Sequence, residues 1–320
     1  MLKIACFGEN CVDVNYIDKV IMPGGNCVNA AIYLKELGFD AAYVGTLADD
    51  GYGHLIRESL EKFKVDVSMV KTVHGETGVS ACRLVDGERT LTMENGGGVV
   101  YTDPISVDDK YIAYFKEFDL IHANYWAYLD DELMKISKDT DIPISYDFAQ
   151  AWDKEKIEKA AGFVKYMLFS GKKELTKEEN LSNLYYAVDV CGVKVGIMTF
   201  GTEGAYVYNG RKNELGGAEP YFKEPYNSES GAVDTTGCGD AWISGFISTY
   251  INGMKQLQGH IGKYEKAGSF LKSSNMEDME SCLIKYSMCV GNMRARATSL
   301  LKGAYGCGVT FEEYERKYKR

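Results

Sequence analysis

Short apolar runs rich in β-formers, each closed by Gly or Asp, alternate with helical patterns along most of this chain, and that alternation restricts the fold more than any other feature. A chain written this way builds a mostly parallel sheet whose strands are joined by crossover helices. The runs 2–7, 41–44, 120–123, 144–147, 166–169 and 195–199 read as core strands. The segments 26–37, 52–63, 129–138, 154–161, 173–180, 183–191 and 241–251 read as helices. With 320 residues, 45% of them hydrophobic, and no repeat, low-complexity linker or composition step, the pattern predicts one α/β domain over 1–320 with a continuous core.

Two stretches break the rhythm. Residues 79–83 and 89–93 alternate on either side of the turn Asp86-Gly87-Glu88, which predicts a β-hairpin. With 14–22 it would form a small sheet outside the main one, so segments 14–22 and 79–100 are expected to make a β lid, the plain alternative being an edge hairpin with no moving part. From Gly253 to Met279 the pattern loosens into Lys- and Ser-rich sequence, read as a surface insertion.

A formal charge of −10, from 36 basic against 46 acidic residues, argues against nucleic acid or an anionic membrane as a main partner. The nine cysteines are scattered without a C-x-x-C pair, so neither a disulfide framework nor a zinc site is indicated. No basic leader precedes Ile4-Ala5-Cys6-Phe7-Gly8, and no run reaches the ~18–20 apolar residues of a membrane span. A cytoplasmic protein is expected. The histidines at 54, 74, 122 and 260 are too dispersed for a metal constellation and are assigned no catalytic role.

The chemistry is concentrated in Asp234-Thr235-Thr236-Gly237-Cys238-Gly239-Asp240, where a glycine-rich loop runs into the apolar helix that starts at Ala241. Unpaired N–H groups and the positive end of the helix dipole make such a junction an anion site, and glycine lets the backbone approach a phosphate. A carboxylate at Asp240 in that field is placed to take a hydroxyl proton. An isolated G-x-G-D serves equally well as a helix cap, and it is Asp234, Thr235 and Thr236 that favour metal and phosphate handling.

The run from Asp234 to Ala241 resembles the C-terminal signature of the ribokinase-like (PfkB) carbohydrate kinases, and Gly24-Gly25-Asn26-Cys27-Val28-Asn29-Ala30-Ala31 with Leu34, Leu37 and Gly38 is similar to the first signature of that family. The resemblance implies a three-layer α/β/α fold with a small β lid and ATP-dependent phosphorylation of a sugar hydroxyl. It makes Asp240 the base and Gly237, Cys238 and Gly239 the backbone anion hole. It also assigns sugar-hydroxyl contacts to Asp13, Gly25, Asn26 and Asn29. Thr199, Gly201 and Gly204, in a strand and turn similar to the family's T-x-G-x-x-G, are implied nucleotide residues, with Thr235, Thr236 and Asn292. ATP with Mg2+ is expected, and the family pattern admits a monovalent cation. Where relatives often carry N-x-x-E, this chain has Gly171-Lys172-Lys173-Glu174, leaving Glu174 and Asp234 as the metal candidates. Relatives also pair through lid sheets, which implies a homodimer.

Finer features, among them Gly8-Glu9-Asn10-Cys11-Val12-Asp13, Asp49-Asp50-Gly51-Tyr52-Gly53, His74-Gly75-Glu76-Thr77 and Tyr146-Asp147-Phe148, look like the fructoselysine 6-kinase subgroup. That implies an acceptor with a secondary ammonium beside the sugar, which acids or aromatics should meet: Glu9, Glu94, Tyr125 or Trp126, with Arg89 for the amino-acid carboxylate. The alternatives are a fructokinase or ribokinase, a nucleoside kinase, or a regulator that has lost catalysis. A dinucleotide-binding enzyme is disfavoured, since Phe7-Gly8-Glu9-Asn10-Cys11 lacks G-x-G-x-x-G.

Overall fold

The computed structural model describes residues 1–85, 88–225, 231–266 and 273–318, with side chains described outside 84–91 and 260–276. Its centre is an eight-stranded sheet in the spatial order Tyr221–Lys223, Ala205–Tyr208, Val195–Thr199, Tyr166–Ser170, Ile144–Asp147, Leu120–Asn124, Lys3–Phe7, Asp40–Val44. The six strands from Val195–Thr199 to Asp40–Val44 pair in parallel, and the first two of the order are antiparallel. Chain order reverses at Lys3–Phe7, which lies between Asp40–Val44 and Leu120–Asn124. In open sheets of this kind, ligands bind outside the carboxyl ends of the strands at such a reversal.

Strand Lys3–Phe7 shows how the layers form, since successive side chains point to opposite faces. Ile4 and Cys6 join one buried cluster with the helices Asn26–Glu36 and Cys238–Lys266, while Ala5 and Phe7 join a second on the other face. On the first face Trp242, Phe246 and Tyr250 recur every fourth residue and stack with centroids 5.3 and 5.8 Å apart. This column seats the helix that begins at the glycine motif.

A second, five-stranded sheet stands apart from the first, in the order Val309–Thr310, Val20–Gly24, Cys11–Asn15, Val79–Val85, Glu88–Met93. The expected hairpin is therefore present, although Asp86 and Gly87 at its turn lie outside the described residues.

Two readings of the sequence are corrected. The segments 173–180 and 183–191 are not two helices but one, Lys177–Asp189, opened by a capping box at Thr176 and Glu179, with Lys173 and Glu174 in the preceding turn. The supposed loose insertion after Gly253 is helical over its described backbone, as Cys238–Lys266 runs through it and Ser273–Ser299 returns alongside. These helices approach closely at Gly245 and Gly291, where a Cβ on Gly245 would lie 3.0 Å from the Cα of Gly291. Because the ring column anchors this hairpin to the sheet, Phe246→Ala is expected to lower stability by about 3–5 kcal/mol in urea unfolding.

Candidate active site

Four parallel strands deliver polar residues to one rim: Asn124 ends Leu120–Asn124, Asp147 ends Ile144–Asp147, Ser170 ends Tyr166–Ser170 and Thr199 ends Val195–Thr199. Glu9 follows Lys3–Phe7 at the reversal point. Two cavities open there, one of about 980 Å³ and one of about 270 Å³, and Ser170, Thr199 and Gly239 line both. The chambers therefore meet at the N-terminus of the helix that begins at Cys238.

The two chambers carry opposite charge. Lys172, Lys173, Lys177 and Arg296 line the larger one, with Glu203 as its acid. Glu9, Asp13, Asp147 and Asp240 line the smaller one, and no Lys, Arg or His lines it among the described residues.

Asp240 is gripped by side-chain amides from the opposite end of the chain. Its Oδ1 accepts from Asn26 Nδ2 at 2.9 Å and its Oδ2 from Asn29 Nδ2 at 2.7 Å. Asn26 and Asn29 lie three residues apart on the helix Asn26–Glu36, which puts both amides on one face. Asn26 Nδ2 also donates to Asp147 Oδ2 at 2.8 Å, and its backbone N–H to Glu9 Oε1 at 3.2 Å, so Glu9 satisfies the start of this helix. The turn needs glycine: Gly25 has φ +102°, and a Cβ there would lie 2.6 Å from Asn10 Cα. In the turn before the other helix Gly237 has φ +73°, and a Cβ would fall 2.6 Å from the Tyr33 hydroxyl.

Burial governs the protonation of these groups. It pushes Glu9 and Asp240 up to about 7 and Asp147 up to about 6. Neighbouring carboxylates add to the rise at Glu9 and Asp240, and the asparagine bonds oppose it. Asp13 is raised by burial as well, against a hydrogen bond from Ser80. Burial lifts the Cys238 thiol to about 11, which makes it an uncharged member of the loop.

Of the residues expected from sequence, Asp240, Gly237, Gly239, Asp13, Gly25, Asn26, Asn29, Glu9, Thr236 and Trp126 line the smaller cavity. Thr199, Gly201, Gly204, Thr235, Cys238 and Asn292 line the larger. Asn292 has its amide engaged, accepting from Trp242 Nε1 at 2.7 Å and donating to the Glu224 carbonyl at 2.5 Å.

Four expected residues lie outside both linings. Glu94 is ion-paired with Arg83, and Tyr125 packs under Lys156, 5.2 Å from its ring centroid. Glu174 is exposed on a turn. Asp234 accepts from the N–H and hydroxyl of Thr236, at 2.9 and 2.8 Å, and from the Gly303 N–H at 2.9 Å, which shapes the loop. The Arg89 side chain falls outside the described residues. No group of three or more His, Cys, Asp or Glu able to hold a metal occurs among the described residues.

The sequence reading missed His122, Asn124 and Asp147 as site residues. His122, one of four dispersed histidines in the sequence, contacts Asn26 Oδ1 through Nε2 at 3.1 Å.

The chain belongs to the pfkB family of carbohydrate kinases, whose profile matches residues 1–258, and it is an ATP-dependent sugar kinase. It is 26% identical over 250 residues to fructosamine kinase FrlD of Bacillus subtilis, covering 78% of this chain and 84% of that protein. It is 27% identical over 254 residues to fructoselysine 6-kinase of Escherichia coli, covering 79% and 91%. The fold is that of a ribokinase from Giardia lamblia, with a TM-score of 0.72 at 14% identity over 98% of both chains. A ribokinase from Arabidopsis thaliana, solved with ribose and ATP, aligns with a TM-score of 0.68 at 16% identity, over 100% of this chain and 99% of that one. No described helix is long and apolar enough to cross a membrane.

The raised acids predict a pH dependence of stability. A carboxyl whose folded pKa exceeds its unfolded value of ~4 stabilises fully below that value and loses the contribution as pH rises through the folded one. Glu9, Asp147 and Asp240 therefore make the ligand-free protein more stable at low pH, with the loss complete above about 7. His122, pulled down to about 4 by burial, acts in the opposite direction below its ordinary value, and the three acids outweigh it. The melting temperature should be higher at pH 5.5 than at pH 8, and Asp147→Asn should shrink the difference.

Proposed function

We propose that this kinase phosphorylates the primary hydroxyl of a fructosamine, with fructoselysine as the favoured acceptor and Asp240 as general base. The observation that carries this reading is the acceptor chamber, lined by Glu9, Asp13, Asp147 and Asp240 with no basic residue among the described ones. A free sugar is neutral and brings no positive charge to these four acids. A fructosamine brings a secondary ammonium that can pair with them, and such charge-assisted bonds gain strength away from water. Trp126, 45% exposed beside the chamber, offers a ring face to the cation or to the stem of the amino acid. The two curated relatives named above support the same acceptor class.

ATP occupies the larger chamber in this reading, with its γ-phosphoryl group at the junction lined by Gly239. Asp240 takes the hydroxyl proton as the acceptor oxygen forms its bond to the γ-phosphorus. The bond to the bridging oxygen breaks and ADP leaves with the electron pair, while the helix N-terminus stabilises charge on the transferring group. Magnesium would arrive on the nucleotide's phosphates and neutralise charge on their oxygens.

We also infer a homodimer formed through the smaller sheet, where Glu88–Met93 is an edge strand with main-chain groups open to pairing. A cytoplasmic setting suits nine free thiols.

Initial rates on fructoselysine, fructose and ribose should favour the first, and a more than tenfold preference in kcat/KM for either free sugar would overturn the acceptor assignment. Asp240→Asn should lower kcat by ~100-fold or more while leaving the ATP dissociation constant unchanged. An unaltered kcat would remove Asp240 from the mechanism.

A further inference from the structure

Asn26 makes two side-chain donations, to Asp147 Oδ2 at 2.8 Å and to Asp240 Oδ1 at 2.9 Å. Both acceptors belong to carboxylates, so the amide has only one tenable orientation, because its flip would set Oδ1 against two acceptor oxygens. Oδ1 is thereby turned toward His122 Nε2, 3.1 Å away. Cys27 Sγ also approaches this oxygen, at 3.9 Å, but an unprotonated Nε2 would set two acceptors against each other at 3.1 Å, which assigns the imidazole proton to Nε2. Nδ1 is then an acceptor, and the Ser145 hydroxyl lies 2.9 Å from it. His122 and Ser145 are 1% and 0% exposed and face each other in register on adjacent parallel strands. Burial holds the imidazole neutral near pH 7, as one N–H donor and one acceptor require.

We propose that His122 is a positioning residue for phosphoryl transfer: donating from Nε2 to Asn26, and held in that tautomer by Ser145, it fixes the amide that aims the Asp240 carboxylate at the acceptor. This rests on Asp240 being the base. The role is directional, since every donor in the series points toward the carboxylates, from Ser145 to His122, from His122 to Asn26, and from Asn26 to Asp147 and Asp240. When the histidine donor is lost, only its own donations to Asp147 and Asp240 hold the Asn26 amide, so its bond to Asp240 loosens and Asn29 is left as the firmer partner. A bond that favours the carboxylate's charged form is then weakened, in a site where Asp147 and Glu9 already oppose ionisation.

The test compares His122→Met, which removes the donor, with His122→Gln, which restores one, each alone and combined with Asp240→Asn. His122→Met should lower kcat about tenfold or more with KM for ATP unchanged. It should also move the acidic limb of the kcat/KM profile to higher pH, and His122→Gln should recover most of both effects. Added to Asp240→Asn, His122→Met should cost little more, because the two act as one unit. Native kcat and an unmoved limb in His122→Met would overturn the inference, as would a fully additive loss in the double variant. A native rate in Asp240→Asn would instead show that the base assignment had failed. Should His122→Met not fold, Ser145→Ala decides: a limb moved toward higher pH supports the tautomer assignment, and an unmoved limb with native kcat overturns it.

Discussion

Both oxygens of Asp240 are held by side-chain amides that lie 214 and 211 residues away in sequence, and the rest of the active site depends on this clasp. Even a half-buried carboxylate is costly without donors, up to roughly 1–3 kcal/mol for each unmet bond. Satisfying it brings the helix that starts at Asn26 against the one that starts at Cys238, and both are seated on the same face of the central sheet. The tight turn at Gly25 and the left-handed turn at Gly237 are what permit the approach. Asn26 extends the clasp to Asp147, so the carboxyl end of a central strand is tied to the same point.

Around that point the charge is divided by chamber. Lysines and an arginine line the space suited to a polyphosphate, and carboxylates line the space suited to the acceptor. Burial, joined at Glu9 and Asp240 by repulsion from neighbouring carboxylates, keeps Glu9, Asp147 and Asp240 poised near neutrality. A cation entering the chamber favours their ionised forms, so in the proposed reaction the acceptor itself helps to set the protonation of its base.

Much of this was legible in the sequence wherever the signal is local. Apolar runs bounded by Gly or Asp mark the parallel strands to within a residue or so, and the glycine motifs mark the two helix starts that build the clasp. Other features depend on tertiary contacts. His122 and Asp147 are polar residues inside apolar strands, and their roles appear only when Leu120–Asn124 pairs with Ile144–Asp147 and both meet Asn26. The helical stretch after Gly253 has weak local periodicity, and packing against its neighbour, with Leu283 over Gly253, defines it. Glu174 matched the position of a family acid, but the turn that carries it faces solvent. Spacing gives no warning of that.

Proton release on acceptor binding tests the acidic chamber most directly. Titration calorimetry at pH 6.5 in two buffers of different ionisation enthalpy, with fructoselysine as titrant and ATP absent, counts the protons exchanged. Acids held near 7 and 6 by burial must ionise when an ammonium pairs with them, so a net release approaching one proton is predicted, with fructose releasing none. Binding of fructoselysine with no proton release, or with uptake, would contradict the account.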